Sequence, residues 1–461
     1  MTSISKRFPF FVTAAPVRGR LFSFSRLILF CTVLPFACSQ QGPADRQWAV
    51  GWKETSSLQT ARAGAAAVVH NSFIYVIGGV DGRIFLRTVE FAPILADGRL
   101  GEWRSTSILP EARGFTDAVV YDGFVYVVGG GKGQHGQQLL STVTRAPIRK
   151  DGHLGAWEVL DEAMQVPRRC SKVCVHDGQL FSFGGYGGAL LDSVEVAAID
   201  SSSGLMPWRL NRKTMLQPRY VNAVKKVGDF VYVLGGHHQS KGIGIADVEY
   251  SDLNRLAADR GDAWRMTSAL NEGRYGLGAV KLAESLFVFG GLSGLEYLDS
   301  VERALINEDG SLQSWHVQPI RLPQPMANFS IVTNNDHVYL LAGANRAGYG
   351  REVFYSQLNA QSQLGVWLND GEQEASVASF EAQAPRLQGQ VVEVLQTEQY
   401  TYLHLQDGGR QRWIAGPRID VRPGTSVEHS QGVLMSGYFS QVLQRSFDKI
   451  LFVGQLVEKK E

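Results

Sequence analysis

Five arginines stand in fixed register along this sequence. Arg62, Arg113, Arg168, Arg219 and Arg274 each precede the first glycine of a Gly-Gly pair by 16 residues, and Met326 takes that place in a sixth, degenerate copy. A guanidinium fork matches a carboxylate bidentately, so a ring of such side chains suits an anionic sugar, a peptide carboxylate or an acidic partner loop. The same fork can be spent on main-chain carbonyls of a neighbouring repeat, which is a purely structural use. Two loops after Gly-Gly pairs carry imidazoles, His237-His238-Gln239-Ser240-Lys241 and Lys132-Gly133-Gln134-His135. A neutral imidazole can accept a sugar proton or bind a metal. His237 and His238 are adjacent, however, and cannot chelate as a spaced pair does. Cys170 and Cys174 fall on one predicted strand, on the same face but about 13 Å apart, too far for a disulfide. Two buried thiols are expected there. No spaced His pair accompanies them, so neither a metal nor a cofactor is expected, and no catalytic residue is assigned.

The elements that must position these residues repeat. The glycine pairs are Gly78-Gly79, Gly129-Gly130, Gly184-Gly185, Gly235-Gly236 and Gly290-Gly291, followed by Ala342-Gly343. Tryptophans keep a similar step at Trp52, Trp103, Trp157, Trp208, Trp264, Trp315 and Trp367. Between them lie short β-rich runs, turns such as Tyr121-Asp122-Gly123 and His176-Asp177-Gly178, and a Val-Glu pair in four copies: Val89-Glu90, Val194-Glu195, Val248-Glu249 and Val301-Glu302. Asp-Gly supplies the positive φ angles of a tight hairpin. A period of about 50 residues with four short strands per copy predicts propeller blades. The loops after each Gly-Gly pair and the Arg elements then meet at one rim of the central channel. Seven tryptophans bound six copies, so either Trp52 or Trp367 completes the last blade.

Paired glycines after an aromatic-rich strand, then Glu, then a spaced Trp, resemble kelch repeats. The resemblance covers about two thirds of the chain and implies a six-bladed, all-β propeller. It brings in two enzyme types. The copper radical oxidases of this fold need a Tyr-Cys cross-link with further Tyr and His ligands, a constellation not readable here. The periplasmic sialic-acid mutarotase is a six-bladed exported kelch protein handling an acidic sugar at an arginine-lined rim, but no catalytic pair can be carried over residue by residue.

The two ends differ from the repeats. Residues 1–26 carry Lys6, Arg7, Arg18, Arg20 and Arg26 without one acid and precede an apolar run at residues 27–37. That run is too short for a permanent span and reads as an export signal. Leu34-Pro35-Phe36-Ala37-Cys38-Ser39 resembles a bacterial lipoprotein signal, which implies lipidation of Cys38; cleavage by an ordinary signal peptidase nearby is the alternative. Residues 1–38 are thus the signal, 39–46 a polar tether, 47–370 the propeller and 371–387 an acidic linker. Residues 388–458 resume strand patterning off the period. There, Tyr400-Thr401-Tyr402, Trp413-Ile414-Ala415-Gly416-Pro417, and Met435, Phe439, Ser440, Leu443, Arg445, Phe447, Asp448 and Ile450 resemble a small OB-like β-barrel of exported bacterial proteins. Its Tyr400, Tyr402, Trp413 and Phe439 either fill the barrel or form a stacking platform, and His404, His429 and Met435 are scattered soft-metal donors.

Lys plus Arg (45) nearly balance Asp plus Glu (44), so no global charge draws the chain to nucleic acid. The expectation is an exported, lipid-anchored protein of the bacterial cell envelope, at the outer membrane. Its rim, with Arg62, Arg113, Arg168, Arg219, Arg274 and His237, binds an acidic glycan or a protein partner without chemistry. A mutarotase-type enzyme is the alternative.

Overall fold

The computed structural model describes residues 48–200, 204–238, 244–260, 263–368, 387–397, 400–429, 432–440, 442–453 and 456–459. The signal, the tether with Cys38 and most of the linker lie outside them. By compactness the chain divides into residues 1–45 and 46–461.

Six antiparallel blades follow one another, five of four strands and a sixth whose sheet has six because both chain ends join it. In the first, Ala66–His70, Phe73–Ile77, Val89–Pro93 and Arg104–Ser105 pair in sequence order. The first hairpins turn through Asp122-Gly123 and Asp177-Gly178 with both residues at positive φ, as the Asp-Gly pairs predict. The second and third strands of each blade carry most of its buried residues, because they have neighbours on both sides within the sheet and on both faces. Packing is shared between blades: one apolar cluster joins blades one and two through Tyr75, Phe91, Val125 and Val127, and another joins blades six and one through Tyr339, Leu341, Ile74 and Val76. Each wedge is buried only when its neighbour is present, which makes the closed ring the stable unit.

The glycine pairs follow from this crowding. Gly78 adopts φ +61°, and a Cβ placed on it would stand 2.4 Å from the Arg113 carbonyl of the next blade. No side chain fits there.

Closure uses both chain ends. In blade six, Gly348–Leu358 pairs with Leu364–Trp367 at one end and with Lys53–Thr55 at the other, while Trp48–Ala49 pairs with Leu364–Trp367. Trp52 is fully buried, whereas Trp367 is 45% exposed. The N-terminal tryptophan therefore fills the sixth blade's structural position.

Helix is scarce: Leu253–Ala257 is one short α-helix, with Asp252 accepting from the Asn254 and Arg255 amides. No helix among the described residues is long and apolar enough to cross a membrane. The C-terminal strands form a separate seven-stranded sheet. Leu387–Gln396, Tyr400–Asp407 and Arg410–Pro417 make an antiparallel meander, and Arg445–Val453 then runs parallel to the third of these strands. Ser426–His429 pairs back onto the first strand, and Gly432–Ser440 onto Arg445–Val453.

Candidate functional site

The structure places the five register arginines inside the blades. Arg62, Arg113, Arg168, Arg219 and Arg274 are each 0% exposed. Arg62 donates from Nη1 to the Gly78 carbonyl at 2.9 Å and from Nη2 to Glu90. Arg168 repeats this with Gly184 at 3.0 Å and Glu195, and Arg274 with Gly290 at 3.0 Å and Glu302. Arg219 bonds Gly235 at 2.8 Å and lies 2.9 Å from Glu249. Each glutamate also accepts the main-chain amide that lies two or three residues before its arginine, as Glu195 does from Gln165 at 2.7 Å. The Val-Glu motif and the arginine register are thus two halves of one clasp, tying the third strand to the strand entry. Burial lowers the pKa values of Arg62, Arg168 and Arg219, and the paired glutamates oppose the shift.

Two blades solve the same problem differently. Blade two has Thr144 where blades one, three, four and five have Glu, and Glu111 pairs with Arg113 at 2.8 Å while also accepting from Lys132 at 2.6 Å and Thr142 at 2.7 Å. Burial pulls the Arg113 pKa down to about 10. Blade six replaces the ion pair by Met326 and Phe354, both buried in the apolar cluster between blades five and six.

What the rim does present begins one residue later. Positions following the clasp are Ala63, Gly114, Arg169, Tyr220, Tyr275 and Ala327, each bridged to the residue after its glycine pair: Val80, Gly131, Tyr186, His237, Leu292 and Ala344. On blades one, two and six these positions are small. On blades three to five they build an arc. The Arg169 guanidinium lies 5.2 Å from the Tyr186 ring centroid, Tyr186 is 6.2 Å from Tyr220, Tyr220 is 5.7 Å from His237, and His237 is 4.6 Å from Tyr275. The arc is held from behind. Arg169 Nη1 donates to the carbonyls of His135 and Gly136 at 2.8 and 2.9 Å, and the Tyr275 hydroxyl donates to the Gly294 carbonyl at 2.6 Å. His135 therefore contributes its backbone to this rim.

His237 stands in the middle of the arc. Its Nδ1 is buried without a hydrogen-bond partner. Burial, then the neighbouring His238, push its pKa below the ordinary imidazole value, which favours the neutral ring. His238 is held apart by Gln217, at 3.2 Å from its Nε2.

Inside the rim lies a ring of left-handed residues: Gly64, Phe115, Cys170, Val221, Gly276 and Asn328. Main-chain bonds of 2.7–2.8 Å run from Gly64 to Asn328, Phe115 to Gly64, Cys170 to Phe115, Gly276 to Val221 and Asn328 to Gly276 around the axis. Cys170 belongs to this ring and precedes the strand Lys172–His176, so it does not share a strand with Cys174 as its spacing suggested. Both thiols are free and buried; burial pushes them up to about 11 and about 12, which leaves them protonated and unreactive.

In the C-terminal sheet the aromatics stack on one another. His404 lies parallel to Trp413 at 4.9 Å, Arg445 covers Trp413 at 4.6 Å, and Tyr402 stacks on Phe447 at 5.7 Å.

Comparison with known proteins agrees with this geometry. The Kelch motif matches residues 61–90. Beta-scruin of Limulus polyphemus is 23% identical over 210 residues and alpha-scruin 22% over 215, covering 44% and 45% of this chain. The matched region spans 22% of either relative's length. A solved structure, that of YjhT, superposes with a TM-score of 0.52 at 16% identity, covering 68% of this chain and 99% of its own. Repeat, motif match and superposition together define a kelch-type β-propeller. The arc of Arg169, Tyr186, Tyr220, His237 and Tyr275 lies on blades three to five of that propeller.

Proposed function

We propose that this is an exported, lipid-anchored recognition protein of a bacterial cell envelope, whose propeller rim binds an anionic ligand or a partner protein and performs no chemistry. One observation carries the reading: three consecutive blades bring Arg169, Tyr186, Tyr220, His237 and Tyr275 into a continuous polar-aromatic arc, while the facing blades carry small residues. Tyrosine faces supply large contact area at low conformational cost, and Arg169 places a guanidinium over the Tyr186 ring beside them. The anionic preference first attached to the buried register arginines moves to this neighbour.

The anchor reading rests on Ala37-Cys38 after the apolar run. The C-terminal module is proposed as an OB-like barrel because a three-stranded meander, a parallel pairing of its third strand with Arg445–Val453 and a return to the first strand are the connections such a barrel needs.

The test is a thermal-shift screen of the purified protein against acidic glycans and small acids, since a ligand of the folded state raises the melting temperature. A hit lost in both Arg169→Ala and Tyr220→Ala, with their own melting temperatures near the parent's, supports the reading. Hits that survive both changes would sink it. If no compound binds, cross-linking in the intact envelope must yield a partner that the same two variants lose.

A second reading is an epimerase of the sialic-acid mutarotase type, favoured by His237 within the arc, whose Nδ1 has no hydrogen-bond partner and whose pKa burial lowers. It requires turnover of the ring forms of an acidic sugar that disappears in His237→Ala while binding stays.

A further inference from the structure

Beneath the aromatic arc the same segments turn into the propeller axis. In Arg169-Cys170-Ser171 and Tyr220-Val221-Asn222 the first residue faces the rim and the second is left-handed. The third lines a cavity of about 50 Å³. Val221 at φ 54° is a β-branched residue in a conformation it rarely adopts, and such strain persists only where the surroundings impose it. Here it delivers Asn222 to the cavity.

The cavity wall is divided. Leu277 and Phe329 make it apolar on one side; Thr116, Ser171, Lys172 and Asn222 make it polar on the other. Thr116 is satisfied, donating to the Val128 carbonyl at 2.8 Å. Ser171 Oγ, Asn222 Oδ1 and Asn222 Nδ2 have no hydrogen-bond partner, although both residues are only 1% exposed. Buried polar groups are nearly always paired. Charge points the same way. Lys172, which lines the cavity, lies 3.7 Å from Asp117. The Lys172 ammonium supplies positive charge at the polar wall, which suits an anionic group.

We propose that this axial cavity binds a small hydroxy-carboxylate group. Its carboxylate accepts from Asn222 Nδ2, Ser171 Oγ and Lys172, and its hydroxyl donates to Asn222 Oδ1, which satisfies the orphaned atoms in both senses. The volume suits it: a water needs about 10–15 Å³ by the same measure, so three or four small groups fit. A free hydroxy acid and the acid end of a larger ligand lying on the arc offer the same chemistry, and in the second case the proposal rests on the rim reading above.

The probe is glycolate, titrated calorimetrically into the whole purified protein at constant ionic strength, with acetate and chloride as controls. Glycolate should bind saturably and more tightly than either control, and Asn222→Leu should weaken it at least tenfold. Equal, non-saturating responses to all three anions, or unchanged affinity in Asn222→Leu, would overturn the site. Should that variant fold poorly, crystals of the unaltered protein soaked in glycolate decide the matter. Density for the acid against Asn222 and Ser171 is expected, and a cavity filled by water alone refutes the proposal. Tyr220→Ala separates the two readings: it should keep glycolate binding even if every larger ligand is lost. Glycolate bound with neither a rim ligand nor a cross-linked partner would leave the axial site standing and the rim reading fallen.

Discussion

Trp52 donates its indole N–H to the carbonyl of Arg321 at 2.9 Å, across 269 residues of chain. Trp103, Trp157 and Trp315 make the corresponding bonds to Ser56, Ser107 and Ser268 at 2.8–3.0 Å. In each case the outer strand of one blade is latched to the end of the blade before it. The bond from Trp52 is the latch that joins the N-terminal strand to blade five and so fastens the ring.

Closure therefore predicts an asymmetry between the two terminal tryptophans. Trp52→Ala removes a fully buried ring and its bond and should cost about 3–5 kcal/mol in denaturant unfolding. Trp367→Ala, at a half-exposed edge 5.0 Å from Trp48, should cost about 1 kcal/mol or less. Equal losses would show that both ends fasten the blade alike.

The clasps make a second prediction. Glu195→Ala leaves Arg168 buried and uncompensated, for which about 3–5 kcal/mol of destabilisation is typical. Blade six already shows the apolar solution in Met326 and Phe354. The double change Arg168→Met/Glu195→Phe should recover most of that loss, as equilibrium unfolding in urea would report. If the double variant is no better than Glu195→Ala, the ion pair does more than fill and pair.

How much of this was legible in the sequence follows from the same residues. The glycine pairs were readable because a positive φ at fixed spacing demands glycine, and the blade count followed. The arginine register was equally visible, and so was a structural use on main-chain carbonyls; what spacing could not show is that the carbonyl is a glycine's in the same blade, 16 residues on, and that a glutamate two strands away completes the clasp. Arg169, Tyr220 and Tyr275 were hidden for another reason. They sit one residue beyond a conspicuous arginine and are about 50 residues apart, and only ring closure turns them into neighbours. Blade two's substitute, Glu111, broke the Val-Glu pattern and could not be recognised as a partner from spacing alone.

The lipid anchor is tested separately. Cys38→Ser should move the protein from the membrane to the soluble fraction on cell fractionation, with its melting temperature unchanged because residue 38 precedes the first strand of the propeller in the sequence. Retention in the membrane fraction would refute lipidation at this cysteine.

The last prediction concerns pH. The folded state holds His237 with a lowered pKa, so the unfolded chain binds the proton more readily. Stability then rises with pH wherever the unfolded state carries more protons, and this contribution is lost as pH falls below the ordinary imidazole value of about 6.5. His237→Phe keeps a ring in the arc but removes the titration. Between pH 7.5 and 5.5 the parent should lose more stability than this variant, with the difference opening below about pH 6.5. NMR titration of the His237 ring should show its midpoint below the ordinary value, and a midpoint at or above it would mean that the ring is not desolvated by the arc. Charging the ring also brings a cation between Tyr220 and Tyr275 and beside His238. An anionic rim ligand should therefore gain affinity as pH falls through that midpoint, whereas a ligand that needs Nδ1 as an acceptor should lose it.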